Sequence, residues 1–318
     1  MRKSARPPRR IKFSERLVYW LYRGLGAVFL VFPVPWTFRI GQAIGLVVWG
    51  ILPGYRDLAR RNLARAIPEW TPQQVAASVR QHFQTLAANF LCAFVLAQKS
   101  WEETQKHFDV SEYQKVKAEV DQISSILALM PHIGNWELMA TAPNWSSRPK
   151  IGAVFQRLRN RLIDEHVRKF RALSGAELLD RSEGFNRGIA ILKEGGILGV
   201  LSDQHAGDKG IWVPFFDRLC STTPLPAIMA KKTHSRICWA VVRTVGVARW
   251  RLEIHLEEFS PKASIEEITA TLNLHLEEKS GKIPRIGSGC MIAGRFLLLG
   301  SSCGNISEEF SFQRARAN

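Results

Sequence analysis

Beyond about residue 119 the chain is built from short runs of β-branched and aliphatic residues, each closed by a turn and followed by residues at helical spacing. The runs are ISSILALM from Ile123, KIGAVF from Lys150, GGILGVLSD from Gly195, ICWAVVRTV from Ile237 and RWRLEIHLEEF from Arg249. Helices are predicted between them over Glu137 to Ala142, Asn160 to Leu173 and Gly184 to Lys193. This alternation restricts the chain to an α/β architecture: a central mixed, mostly parallel sheet flanked by helices. The last run alternates apolar and polar residues, which suits an antiparallel strand at an edge. No internal repeat or low-complexity segment interrupts the pattern.

In sheets of this kind chemistry collects where strands end. His132 and Asp203 each follow a predicted strand directly. Around the first, LALMPHIGNWELMATA places Glu137 five residues after the imidazole. Asn135 is expected to cap a helix starting at Trp136. Gly134 would let the loop turn sharply enough to return the Glu137 carboxylate to His132. A carboxylate on one ring nitrogen fixes the tautomer and leaves the other nitrogen able to accept a proton. No serine or cysteine stands in a recognisable nucleophile elbow. His132 is therefore read as a general base acting on an incoming hydroxyl, a role worth about 10² to 10⁴ in rate. Spacing alone leaves open a second reading, a hydrogen-bonded loop histidine without a catalytic part.

The amino-terminal third reads differently. Residues 1–16, MRKSARPPRRIKFSER, are basic and poor in apolar side chains, and are expected to form a loose arm. Residues 17–54 are apolar and aromatic, with Trp20, Phe29, Phe32, Trp36 and Trp49. A spanning helix needs about 20 mostly apolar residues. Gly24 to Trp36 falls short of that, Pro33 and Pro35 break the segment, and Arg39 interrupts it. A hairpin lying in the interface fits these lengths as well as one tilted span. Aromatic residues near the ends and a basic flank favour a membrane surface, with the flank facing the cytoplasm. A basic amphipathic helix follows in YRDLARRNLARAIPEW, and Thr71 with Pro72 opens another. The whole chain carries 44 basic against 28 acidic residues, a balance of +16. Such a charge calls for an anionic partner. Since zinc-finger and RNA-recognition signatures are absent, lipid is preferred over nucleic acid. The five cysteines, Cys92, Cys220, Cys238, Cys290 and Cys303, form no C-x-x-C pair and are read as buried thiols in a reducing compartment. His166, His205 and His234 have no metal-like spacing, and neither a metal nor another cofactor is expected.

HIGNWE, together with SDQHAGDKGIWVPFFDRLCSTTPLPAIMAKKT, resembles the bacterial lipid A biosynthesis acyltransferases, a family of lauroyl and myristoyl transferases within the lysophospholipid acyltransferase superfamily. His132 and Glu137 stand at the family's His-x4-Asp/Glu motif. Asp203 and Gln204 stand at its Asp-Gln stretch, and Val213, Pro214, Phe215 and Phe216 at its VPFFG-like loop, where Asp217 replaces glycine. RRNLARAIPEW is similar to the family's R-x-N-L…FPE stretch. The resemblance implies transfer of a fatty acyl chain from acyl carrier protein or coenzyme A to a hydroxyl of a glycolipid, at the cytoplasmic side of the bacterial inner membrane. It implies His132 as base and Glu137 as its orienting acid, with Asp203 a second candidate for that role. Arg157 and Arg159, in VFQRLRN at the family's second block, would bind phosphate or carboxylate, with Arg168 and Arg171 ranking behind them. Gln204 joins the substrate site, and Trp212, Pro214, Phe215 and Phe216 would line an acyl channel.

The likeness stops after Lys279. Where the family continues with PEDWFWVHDRWK, this chain reads SGKIPRIGSGCMIAGRFLLLGSSCGN. One choice of codons for Ser280 to Arg295, read from the third base of the first codon, gives RKNPEDWFWVHDRWK. Residues 280–318 are accordingly read as translated out of frame, which leaves residues 55–279 as the acyltransferase domain. Two alternatives stay open on sequence grounds: a non-catalytic membrane or nucleic-acid binding protein, and an acyltransferase for another acceptor such as a lysophospholipid or a phosphoinositol mannoside.

Overall fold

The computed structural model describes residues 11–181 and 184–281. The residues expected to be out of frame therefore lie almost wholly outside the described part, as do Cys290, Cys303 and the first ten residues of the basic arm.

Five helices come first. α1 (Phe13–Val31) begins inside the stretch expected to be a loose arm, and α2 (Val34–Ile51) follows after the Pro33 break. α3 (Pro53–Ala66) and α4 (Pro72–Leu96) come next, with the short α5 (Trp101–Thr104) behind them. α4 starts where the sequence predicts. The Thr71 hydroxyl accepts from the Gln74 amide at 3.3 Å, and the Gln74 side chain accepts from the Thr71 amide at 2.8 Å, a reciprocal cap. α2 lies close on α4 because it has no side chain at two positions. A Cβ on Gly41 would come within 2.5 Å of Ala88, and one on Gly45 within 2.3 Å of the Phe83 carbonyl oxygen.

The remaining elements are β1 (Phe108–Asp109), α6 (Ser111–Gln122), β2 (Ile126–Leu129), a 3-10 helix (Trp136–Asn144), β3 (Ile151–Phe155), α7 (Arg161–Arg171) and β4 (Glu177–Asp180). After them come α8 (Gly184–Lys193), β5 (Ile197–Val200), the hairpin β6 (Ile211–Pro214) and β7 (Leu219–Thr222), α9 (Leu225–Thr233), β8 (Arg236–Gly246), β9 (Arg249–Glu257) and α10 (Ile265–Gly281). Seven strands form one sheet in the order β1-β9-β8-β2-β5-β3-β4. β2, β3, β4, β5 and β8 run parallel. β9 is antiparallel to β8, as its alternation predicts, but it is not the edge, because β1 pairs outside it.

Both faces of the sheet are covered, so β2 buries every side chain, and Leu127 and Leu129 are fully enclosed. Leu127, Leu129, Leu198, Ile237 and Trp239 pack toward α8, α9 and α10 on one face. Ile126, Met130, Cys238, Ala240 and Val242 pack with residues of α2, α4 and α6 on the other. A buried polar contact ties α4 to the sheet: Asn89 Oδ1 accepts from Trp250 Nε1 at 2.9 Å and from Thr244 Oγ1 at 3.1 Å. Cys92, Cys220 and Cys238 are buried; burial pushes the Cys92 and Cys238 thiols up to about 12, which keeps both protonated and unreactive.

Candidate active site

β2 and β5 are neighbours in register, with Leu129 opposite Val200. His132 and Asp203 each lie three residues beyond that pair, so the same offset from adjacent strand ends brings them together. The His132 Nδ1 lies 2.7 Å from Asp203 Oδ1, and the His132 backbone amide donates to Asp203 Oδ2 at 2.8 Å. Both oxygens of one buried carboxylate thus hold one residue. The loop that carries the imidazole is fixed by Gly134, at φ +60°, where a Cβ would fall 1.8 Å from the Val242 carbonyl oxygen. Any other residue would push the loop off β8.

Glu137 does not perform the task its spacing suggests. Its carboxylate takes a two-pronged bond from Arg171 at the end of α7, with Nε to Oε2 at 2.8 Å and Nη2 to Oε1 at 2.5 Å. The segment after His132 winds as a 3-10 helix rather than an α-helix and contains Pro143, while Asn135 forms no side-chain cap. The first turn therefore carries Glu137 toward α7 instead of back to the imidazole. Trp136 fills the place beside the imidazole, packed edge-to-face at 4.9 Å and backed by Phe90 at 5.3 Å.

His132, Trp136, Glu137 and Arg171 all line one cavity of about 580 Å³, within the usual range for small-molecule sites. It has two unlike ends. Ala128, Gly199 and Ala153 are register partners across β2, β5 and β3, so they share one sheet face. With Met130, and with Met139 and Ala142 of the 3-10 helix, they make an apolar floor and roof. The other end is polar, with Ser202, Gln204, His205, Lys209 and Thr223 near the start of α9, and Gln156 and Arg181 beyond β3 and β4.

Of the residues singled out for substrate binding, Gln204 lines the cavity. Arg157 and Arg159 stand outside its lining; Arg157 is bound to Asp180 at 2.6 Å, and Arg159 is exposed. Phe215 is buried in the core with Ile268, Leu272 and Leu276, and Phe216 packs against that cluster. Pro214 is exposed and bonded through its carbonyl to Asn273 at 2.9 Å. These three residues therefore do not line the cavity, because α10 covers the hairpin loop. The cavity-lining cations are instead Arg171, Arg181 and Lys209. Arg171 was among the lower-ranked candidates of the sequence; the only signal for Arg181 and Lys209 is position, just after β4 and just after the Asp-Gln stretch.

The family model for bacterial lipid A biosynthesis acyltransferases matches residues 7–286. Over 287 residues the chain is 23% identical to the lipid A biosynthesis palmitoleoyltransferase of Escherichia coli (strain K12), covering 86% of this chain and 91% of the relative. The lipid A biosynthesis acyltransferase of Shigella flexneri matches with the same identity and coverage. The lipid A biosynthesis lauroyltransferase of Escherichia coli (strain K12) is 26% identical over 212 residues, covering 64% of this chain and 68% of the relative.

Proposed function

Because the chain belongs to the bacterial lipid A biosynthesis acyltransferase family, we propose that it carries a fatty acyl chain from a thioester of acyl carrier protein or coenzyme A to a hydroxyl of a lipid A precursor, with His132 as general base. That it is an acyltransferase follows from the family. The observation that carries the catalytic assignment is the His132–Asp203 contact, with His132 in the lining of the cavity.

Asp203 keeps the ring proton on Nδ1, so Nε2 takes the proton of the acceptor hydroxyl. The alkoxide oxygen bonds to the thioester carbonyl carbon, and the tetrahedral oxyanion collapses to break the carbon–sulfur bond. The thiolate leaves with the proton held by the imidazolium, which restores the neutral ring. The apolar end of the cavity takes the acyl chain. Arg181 and Lys209 face the polar end, where a phosphorylated headgroup is best accommodated. No cofactor enters this scheme.

The same reading places the enzyme on a bilayer, at the cytoplasmic face of the inner membrane. No helix of the described residues is long and apolar enough to cross a membrane. α1 and α2 nonetheless hold Trp20, Leu21, Val28, Val31, Trp36 and Val47 largely exposed, with Val31 at 83%. Arg16, Arg23 and Arg39 are exposed among them. An apolar helical face studded with arginines suits insertion between anionic headgroups.

The test is acyl transfer by the membrane-bound full-length chain with labelled thioester donors and a lipid A precursor. His132→Ala is expected to lower the rate by about 10² or more while leaving binding to phosphatidylglycerol vesicles intact. Parental activity in His132→Ala would overturn the general-base assignment, and failure to bind vesicles would overturn the bilayer placement.

A further inference from the structure

α7 is attached to the molecule in an unusual way. Among the described elements only α1 packs broadly against it. At its first turn Asn160 caps the helix, accepting from the Leu162 and Ile163 amides at 3.0 and 3.3 Å, and donates through Nδ2 to the Glu15 carbonyl oxygen of α1 at 2.9 Å. At mid-helix the Tyr22 hydroxyl of α1 meets His166 Nδ1 at 3.1 Å. Aromatic rings enclose this contact, with Phe170 4.5 Å and Tyr22 5.4 Å from the imidazole centroid, and Phe94 of α4 stacked at 6.5 Å. At the last turn Arg171 grips Glu137, and just beyond it the Ser174 hydroxyl donates to the Ala140 carbonyl oxygen.

α7 therefore links α1 to the 3-10 helix by a polar route, beside the apolar one through α4, which packs on both. One end is fastened to a helix whose outer face is apolar and exposed. The other end holds the first turn of the 3-10 helix, where Glu137 adjoins the Trp136 ring that packs on His132. Burial raises the Tyr22 hydroxyl to about 12, and desolvation, with Arg23 and Lys169 nearby, lowers the His166 imidazole. Both shifts favour a neutral pair in which the hydroxyl donates to an unprotonated Nδ1.

We propose that Tyr22 and His166 are positioning residues for acyl transfer, whose contact sets α7 so that Arg171 and Glu137 hold the His132 side of the cavity in its working shape. The inference rests on the reading of His132 as the reacting base. Its physical basis is that a two-pronged ion pair between partly exposed side chains is worth little unless the element carrying it is already ordered. α1 supplies that order, so a helix seated at the bilayer reaches the reacting atoms through one intervening helix.

The test is a double-mutant cycle on the full-length enzyme in phosphatidylethanolamine and phosphatidylglycerol vesicles. Tyr22→Phe removes one hydroxyl and is expected to lower kcat by about threefold to tenfold, with KM for the thioester donor unchanged. His166→Gln, which keeps an acceptor, should recover most of the rate lost in His166→Ala. In an Arg171→Lys background, which keeps the charge but not the fork, Tyr22→Phe should cost less than about twofold more, because both changes break one linkage. Full additivity in that background, or parental kcat in either Tyr22→Phe or Arg171→Lys alone, would overturn the proposal. His132→Ala runs beside them. If it keeps parental rate, the general-base reading fails; if it is inactive while the cycle is additive, only the role of Tyr22 and His166 falls.

Discussion

The α1–α2 pair and the strands β2 and β5 are both dominated by aliphatic and aromatic residues, yet they meet opposite fates. Leu127, Leu129 and Leu198 are fully enclosed, whereas Phe13 and Val31 stand more than four-fifths exposed. The difference lies in partners rather than composition. Each strand is covered on both faces by helices, but α1 and α2 are covered on one side only, where Gly41 and Gly45 let α2 sink against α4. In the sheet, apolar side chains are consumed by folding. In the helix pair they remain available to something outside the chain.

Substitution can break this contrast, and the largest effect belongs to the sheet. Leu127→Ala should lower unfolding free energy by about 2 to 5 kcal/mol, read by denaturant titration, because it opens a cavity in a region covered on both faces. α4 lies at the seam between the two regions, and its His82 is buried, which lowers its pKa to about 4. As pH falls below about 6.5 the unfolded chain takes up a proton that the folded chain refuses until about pH 4. Stability should therefore be lost across that window, by on the order of 3 kcal/mol, and His82→Gln should flatten the dependence. The smallest effect on folding belongs to α1. Leu21→Ser with Val31→Ser should change stability by no more than about 0.5 kcal/mol per site. The same double substitution should shift the protein out of phosphatidylglycerol vesicles in a flotation assay. Unfolding of that variant on the scale of Leu127→Ala would erase the distinction.

The sheet was legible because its central strands are continuous apolar runs with clear ends. β1 and β4 were not, since two and four residues with mixed polarity carry no period. A helix after His132 was legible, but its 3-10 winding and its extension from Trp136 to Asn144 were not. At the strand ends the structure brings His132 and Asp203, both singled out by that placement, into contact. Spacing then favoured the wrong partner: Glu137 is five residues away along the chain, but strand order brings a carboxylate from 71 residues away instead. The aromatic pair Phe215 and Phe216 was misread for a related reason. Nothing near it in sequence announces that α10 will lie over it.

Asp203 spends both oxygens on one neighbour, the first on a ring nitrogen and the second on the same residue's main-chain amide. An asparagine at this position would have the right shape and only one acceptor. With its oxygen on the main-chain amide, its NH2 would face Nδ1 and drive the ring proton across to Nε2. The nitrogen left for the cavity would then offer a hydrogen where the proposed general base needs a lone pair. Shape and polarity are separable at this carboxylate, and an isostere would keep the architecture while reversing the direction in which protons can move.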